Sequence, residues 1–234
     1  MSIYSKLSAL LTAANTKTGE SDTTLTDAVQ TLIDGYGQGG GSSDADGLID
    51  GSLLTLSNSN VTSLRNYAFA NFSGIQSISL PNVTTVNGRE NFVNASGLVT
   101  VNLPKITDTT AYMFYGCGNL QNVDISLVAN IRNYAFRDCV NLEFLDLPTV
   151  GMIYGNGFNG CKKLVTLVLR KSTLCGLEST NVFTNTPFAG YNGLSGTVYV
   201  PSALISTYQG ASNWSAMYSG GYCTFSAIEG SAYE

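Results

Sequence analysis

The sequence predicts an α+β repeat fold: a solenoid of stacked coils of ~22 residues each, preceded by a short helical segment. Three observations carry this. Phe69, Phe92, Phe114, Phe136 and Phe158 recur at one interval, with a single extra residue between the first two. Ile75, Leu98, Leu120, Leu142 and Leu164 keep the same interval, as do Leu80, Leu103, Ile125, Leu147 and Leu169. Only 12% of the residues are charged, about half the share usual in a soluble domain. The surface polarity must therefore come from amides and hydroxyls. Self-similarity at a fixed period is the signature of units that bury their apolar faces only by stacking.

The N-terminal segment comes first in the chain. Ile3, Leu7, Leu10, Leu11 and Ala14 follow helical spacing and predict an amphipathic helix. A second helix is expected from Thr24 as N-cap with Asp27 three places on, apolar Leu25, Val29, Leu32 and Ile33, and Gly35 as its stop. Helices this short need a packing partner, so residues 1–36 read as an anchor or oligomerisation segment. Gly37 to Asp44 is rich in Gly and Ser and predicts a flexible linker over 37–46. The solenoid is then expected over 47–234.

Five units follow, at about 61–82, 83–105, 106–127, 128–149 and 150–171, with an expanded last unit and cap over 172–234. The extra residue of the second unit falls in the loop Asn87–Asn91. Words such as Leu98-x-x-Val101-x-Leu103 and Leu142-x-x-Leu145-x-Leu147 predict short strands with alternate residues turned inward. Pro81, Pro104, Pro148 and Pro201 follow such strands and withhold a backbone donor. In the closing region, Gly196–Val200, a short helix over Ser202–Tyr208 and a final strand near Cys223–Ile228 are expected. Tyr208 and Trp214 read as capping residues, because an open solenoid end exposes both core and strand edge.

The run from Ile131 through Asn133-Tyr134-Ala135-Phe136, Cys139 and Leu142 to Leu145-Asp146-Leu147-Pro148 resembles the BspA-type leucine-rich repeat. The resemblance covers about residues 48–209, with a degenerate first coil at Leu48–Leu56. It departs at Gly155-Asn-Gly157, where Tyr-Ala is lost, and at Ser73 and Ser96, read as standing where later units have Cys117, Cys139 and Cys161. It implies a leucine-rich-repeat solenoid that binds partners without catalysis. The words Leu11–Glu20 and Leu25–Ile33 are similar to N-terminal segments of bacteriophage and prophage structural proteins. That likeness implies a tail or fibre component presenting the solenoid to a host-surface ligand, the alternative being a BspA-like adhesion or protein-interaction protein.

Composition excludes several chemistries. The chain has no histidine, which removes Ser-His-Asp relays, Cys-His pairs and imidazole bases. No phosphate loop or CxxC pair occurs, and no cofactor or metal is expected. Residues 1–50 carry two basic and seven acidic side chains, while residues 51–234 carry nine of each. A neutral body behind an acidic segment has no electrostatic reason to bind nucleic acid. No apolar run approaches the ~18 residues of a membrane span. The segment Met1–Lys17 is too polar for a secretory signal, so the expected location is a virion, or the extracellular space after lysis.

The cysteines of the repeat read as small buried apolar groups, because a line of thiols does not converge on a metal. Asn60, Asn71, Asn82, Asn94 and Asn213 match the glycosylation pattern but are read as turn residues. Tyr67, Tyr112 and Tyr134 are expected to form a half-buried row. The candidate ligand face lies on the strand positions between inward residues: Gln76, Ser79, Thr100, Asn102, Gln121, Asn122, Asp124, Glu143, Phe144, Asp146 and Thr166. Ser77, Val99, Val165 and Val168 belong to the same expected exposed face. Its neutral, amide- and hydroxyl-rich character suits a host cell-surface glycan or protein. An enzyme using Asp124, Glu143 or Asp146 on glycans is the remotest reading.

Overall fold

The structure, a computed structural model, describes residues 54–234. The expected helices of residues 1–36, the linker and most of the degenerate first coil lie outside the described residues. What is described is a succession of short strands and turns in which every strand pairing is parallel.

One face of the solenoid is built by β1 (Thr55–Ser57), β3 (Ser77–Ser79), β5 (Thr100–Asn102), β6 (Asn122–Asp124), β8 (Phe144–Asp146), β10 (Thr166–Val168), β12 (Gly196–Val200) and β13 (Cys223–Ala227). A second face carries β2 (Ser63–Leu64), β4 (Thr85–Val86), β7 (Asn130–Ile131), β9 (Met152–Ile153) and β11 (Gly176–Leu177). The central residues of the main strands turn inward: Ile78, Val101, Leu145 and Leu167 are buried, and Val123 of β6 is half-buried against the core. The Phe side chains stack as a ladder. Ring centroids are 5.3 Å apart for Phe69–Phe92, 5.1 Å for Phe92–Phe114, 5.0 Å for Phe114–Phe136 and 5.4 Å for Phe136–Phe158. Phe183 extends it at 5.6 Å. The shared dry interior thus follows from apolar side chains recurring at one angular position of each coil.

Register locates the extra residue of the second unit. Leu64 pairs with Val86, which keeps the ordinary interval of the repeat. The Phe69 amide instead donates to the Asn91 carbonyl, so the lengthening falls between Val86 and Asn91. Asn91 is buried within this insertion. Its amide donates to the Arg65 carbonyl, and its Oδ1 accepts from Thr110 Oγ1 at 2.8 Å.

Each coil turns at two left-handed positions flanking its Phe. Two places before stand Tyr67, Glu90, Tyr112, Tyr134 and Asn156; two after stand Asn71, Asn94, Gly116, Asp138 and Gly160. Asn, Asp and Gly adopt this conformation at little cost, and tyrosine does not. The tyrosine row is shorter than the sequence suggests. Tyr112 and Tyr134 stack at 4.7 Å, but Glu90 occupies the intervening coil next to Tyr67, so Tyr67 is not part of a continuous stack.

The cysteine position also differs from the one expected. Counted from the Phe, Cys117, Cys139 and Cys161 align with Phe72 and Ala95, not with Ser73 and Ser96. Ala95 is buried and Phe72 packs on Phe69, so the site keeps an apolar occupant throughout. The thiols also bond: Cys117 donates to the Phe92 carbonyl at 3.0 Å, Cys139 to Phe114 at 3.1 Å and Cys161 to Phe136 at 3.0 Å.

The far end closes with helices α1 (Ile205–Gly210) and α2 (Trp214–Ser219), of which the sequence predicts only the first. Trp214 and Tyr208 are fully buried and both hold Cys175. Trp214 Nε1 donates to its carbonyl at 2.7 Å, and its amide donates to Tyr208 Oη at 2.8 Å.

Candidate functional site

The strand face presents its outward side chains in rows along the solenoid axis because the pairing is parallel and in step. Thr100 aligns with Asn122, and Asn102 with Asp124. Some of these groups bond along the row. Asn102 Nδ2 donates to Ser79 Oγ at 3.1 Å, and Asn122 Nδ2 lies 3.5 Å from Thr100 Oγ1. Asn141 Nδ2 donates to Asn119 Oδ1 at 3.3 Å. The Asn102 Oδ1 atom is buried and has no hydrogen-bond partner among the described residues.

The face is interrupted at one step. β1, β3, β5 and β6 form one sheet, and β8, β10, β12 and β13 form another, with no ladder between β6 and β8. On either side the regular bonds are present. Gln121 and Asn122 amides donate to the Val99 carbonyl at 2.9 and 3.0 Å, and Val165 and Thr166 amides to Glu143 at 3.1 and 3.2 Å. The corresponding bonds from Glu143 and Phe144 to Gln121 are not formed. The coils stay joined at the opposite edge, where Phe114 donates to Ala135 at 2.7 Å and Gly116 to Arg137 at 2.8 Å.

Two shallow depressions flank this break. One, of about 300 Å³, is lined by Gln121, Asn122, Asn141, Glu143, Phe144 and Lys163. The other, of about 260 Å³, is lined by Thr100, Val101, Asn102, Gln121, Asn122, Val123, Asp124 and Phe144. Of the candidate residues, Thr100, Asn102, Gln121, Asn122, Asp124, Glu143 and Phe144 are therefore gathered at one place. Gln76 and Ser79 lie further along the face, on or beside β3.

Asp146 is differently engaged. It accepts a fork from Arg170, with Nε at 3.1 and 2.9 Å from its two oxygens and Nη2 at 2.8 Å. Asp124 Oδ1 accepts the Ser126 amide at 3.2 Å, and Glu143 faces Lys163 at 3.9 Å. The three carboxylates thus have three separate partners.

Beyond the break the face is partly covered. Tyr233 lies 5.4 Å from Phe144, nearly parallel, and 4.6 Å from Tyr199, edge-on. Phe144 stands on β8 and Tyr199 on β12, so this ring crosses over β10. Val168, expected on the exposed face, is accordingly 0% exposed, and Thr166 is half-buried. Asn141, Lys163 and Tyr233 were not singled out in the sequence. Asn141 and Lys163 occupy the position five places after a ladder Phe and were readable from the register; Tyr233 carries no repeat signal.

Among the described residues, no group of three or more Cys, Asp or Glu is placed to hold a metal ion. All five cysteines are free and buried. Burial pushes the Cys117 thiol up to about 12, against a small opposing effect of a backbone hydrogen bond at Ala95. It also raises Cys139 well above the ordinary range, reinforced by Cys161. These are inert thiols. No helix among the described residues is long and apolar enough to cross a membrane.

A family model described as the BspA type leucine rich repeat region matches residues 52–186 in six copies. A leucine-rich repeat protein from Eubacterium ventriosum is similar at 28% identity and a TM-score of 0.50, over 58% of this chain and 41% of that one. A leucine-rich repeat protein from Bacteroides ovatus is similar in fold, at 24% identity and a TM-score of 0.52, over 76% of this chain and 46% of that one. The match thus spans less than half the length of either solved chain. No curated protein matches.

Proposed function

This chain belongs to the BspA-type leucine-rich repeat family, and from that premise we propose that it is a non-enzymatic interaction protein binding a surface ligand through its strand face. The observation that carries the reading is the gathering of Gln121, Asn122, Asp124, Glu143 and Phe144 around two adjoining depressions. Solenoids bind through extended faces of this kind because a row of outward side chains is repeated at a fixed step. Fold alone does not name a function, so the reading rests on the site.

Surface plasmon resonance of the full chain over immobilised matrix proteins and cell-surface glycoproteins tests it. Saturable binding is expected, and Asn122→Ala with Phe144→Ala should abolish it while circular dichroism stays unchanged. Arg89→Ala, an exposed change on another face, should leave binding intact. Binding that survives the double substitution would sink the strand-face assignment, and turnover on a glycan panel would sink the non-enzymatic one.

A finer reading makes the chain a phage or prophage virion component. In it, residues 1–36 anchor or oligomerise the chain, 37–46 tether, and 47–234 present the solenoid to a host-cell glycan or protein after release by lysis. The supporting observation is the order of segments: seven acidic side chains in residues 1–50, a Gly-rich stretch within them, then a body of balanced charge. Removing residues 1–40 should leave the solenoid folded and abolish self-association. Light scattering that finds both full-length and shortened chains monomeric ends the oligomerisation part. The interaction role is the preferred reading, because it depends on the family and the strand face and not on residues 1–53.

A further inference from the structure

Resting on that strand-face reading, we propose that the break between β6 and β8 is a binding site for an uncharged saccharide, with Phe144 as its platform. The interruption is what makes the site. Elsewhere along the face, backbone donors are spent on the neighbouring coil. Here the Glu143 and Phe144 amides and the Gln121 carbonyl are left out of the ladder, and a polar ligand satisfies them better than a flat sheet does.

The chemistry around the break matches a sugar. Saccharides present a C–H face that packs on an aromatic ring, and hydroxyls that donate and accept at once. Phe144 is 39% exposed and lines both depressions. Gln121 and Asn122, shared by both, offer amide donors and acceptors side by side. Asn102 lines the second depression and has its Nδ2 committed to Ser79 Oγ, so the amides facing a ligand are those of Gln121 and Asn122.

Charge points the same way. Glu143 and Lys163 form an ion pair at 3.9 Å in the lining of the first depression, so their charges offset each other there. Size agrees as well: two adjoining hollows of about 300 and 260 Å³ suit two successive rings. Tyr233 occupies one side of Phe144 at 5.4 Å with 20° between the rings, so a sugar packs on the part of the ring that stays exposed.

The test is titration of the full chain with mannotriose, maltotriose, cellotriose and N-acetylchitotriose, followed by amide NMR. At least one is expected to shift the Gln121–Asp124 and Glu143–Phe144 amides with a millimolar Kd. Phe144→Ala should weaken binding at least tenfold. Asn122→Ala should weaken it severalfold, and keeps the test valid if the first variant loosens Tyr233. Arg89→Ala, an exposed change off the strand face, should leave affinity unchanged.

Failure of all four sugars to shift these amides overturns the saccharide assignment. So does a shift that Phe144→Ala leaves untouched, or one produced only by a tyrosine-containing peptide. In the last case the strand-face reading stands with a protein ligand; it falls separately, through survival of surface binding in the double variant.

Discussion

Within each of three coils, the cysteine three places after the ladder Phe faces the interior and donates a thiol hydrogen bond across to the previous coil. Burial favours the neutral thiol: Cys117, Cys175 and Cys223 are each pushed from an ordinary 9.0 up to about 12, and Cys139 rises too. Above pH ~9 the unfolded chain therefore releases protons that the folded chain keeps. Stability from these groups is complete below that value and is lost as pH climbs toward 12. Thermal melts should accordingly show Tm falling from pH ~9 upward, and Cys139→Ala should flatten the slope. At neutral pH iodoacetamide should label none of the described cysteines until urea unfolds the chain. Two glycines separate conformation from packing. Gly160 has a φ of +78°, and an added Cβ would sit 2.2 Å from Asp138 Oδ1, whereas at Gly118 it meets only Val140 at 3.8 Å. Gly160→Ala should cost about 1–2 kcal/mol or more, while Gly118→Ala should be near neutral or slightly stabilising in urea melts. The sequence shows such left-handed positions where Asn or Gly fills them. It hides them at Tyr67, Tyr112 and Tyr134, because tyrosine has no intrinsic preference for left-handed backbone. At Tyr112 and Tyr134 the strain is set against their mutual stack and, for Tyr134, against Arg137 5.6 Å from its ring.

At the scale of the element, the Phe ladder and the strand ladder do different work, and the step between the third and fourth coils separates them. There the strand bonds are missing while Phe114 and Phe136 remain stacked at 5.0 Å. Phe114→Ala should consequently cost about 3–5 kcal/mol in urea unfolding, more than removal of any outward strand side chain. Hydrogen exchange gives the complementary check. The Phe144 amide should exchange far faster than those of Asn122 and Thr166, which are bonded to Val99 and Glu143. Equal protection at all three would mean that the strands close in solution and that the proposed site does not exist. The Phe and Leu rows were legible in the sequence because burial repeats once per coil at the same angular position. The break was not, because no residue type marks a missing backbone bond: Gln121-Asn122 and Glu143-Phe144 read like any other strand word. The covering of Val168 was equally hidden, since Tyr233 is remote from it in sequence and outside the repeat.

For the whole molecule, a stack of coils is stabilised by each coil and its two neighbours, so an end is weaker than a middle unless it is closed. Closure here is concentrated on one buried tryptophan. Trp214 packs on Phe183 at 5.7 Å, on Tyr208 at 5.6 Å and on Phe225 at 5.8 Å, and its Nε1–H satisfies the Cys175 carbonyl. It therefore ties the last ladder Phe, α1 and β13 to the expanded unit at a single point. Trp214→Phe keeps much of the ring but leaves that carbonyl without the donor, a loss of about 1 kcal/mol. Trp214→Ala also opens a cavity and should cost about 3–5 kcal/mol. The distribution of the loss matters more than its size. Because coupling runs only between neighbours, amide protection in Trp214→Ala should fall first over residues 175–227 and stay near native over residues 69–125. A globular domain with one all-round core would lose protection everywhere together. Uniform loss in hydrogen exchange would contradict the nearest-neighbour account of this fold, and graded loss from the capped end would support it. In the graded case Gln121 and Asn122 stay in place while Tyr233, which follows β13 and stacks on Phe144, loosens with the far end, so saccharide titration of Trp214→Ala should show weakened binding and not its loss.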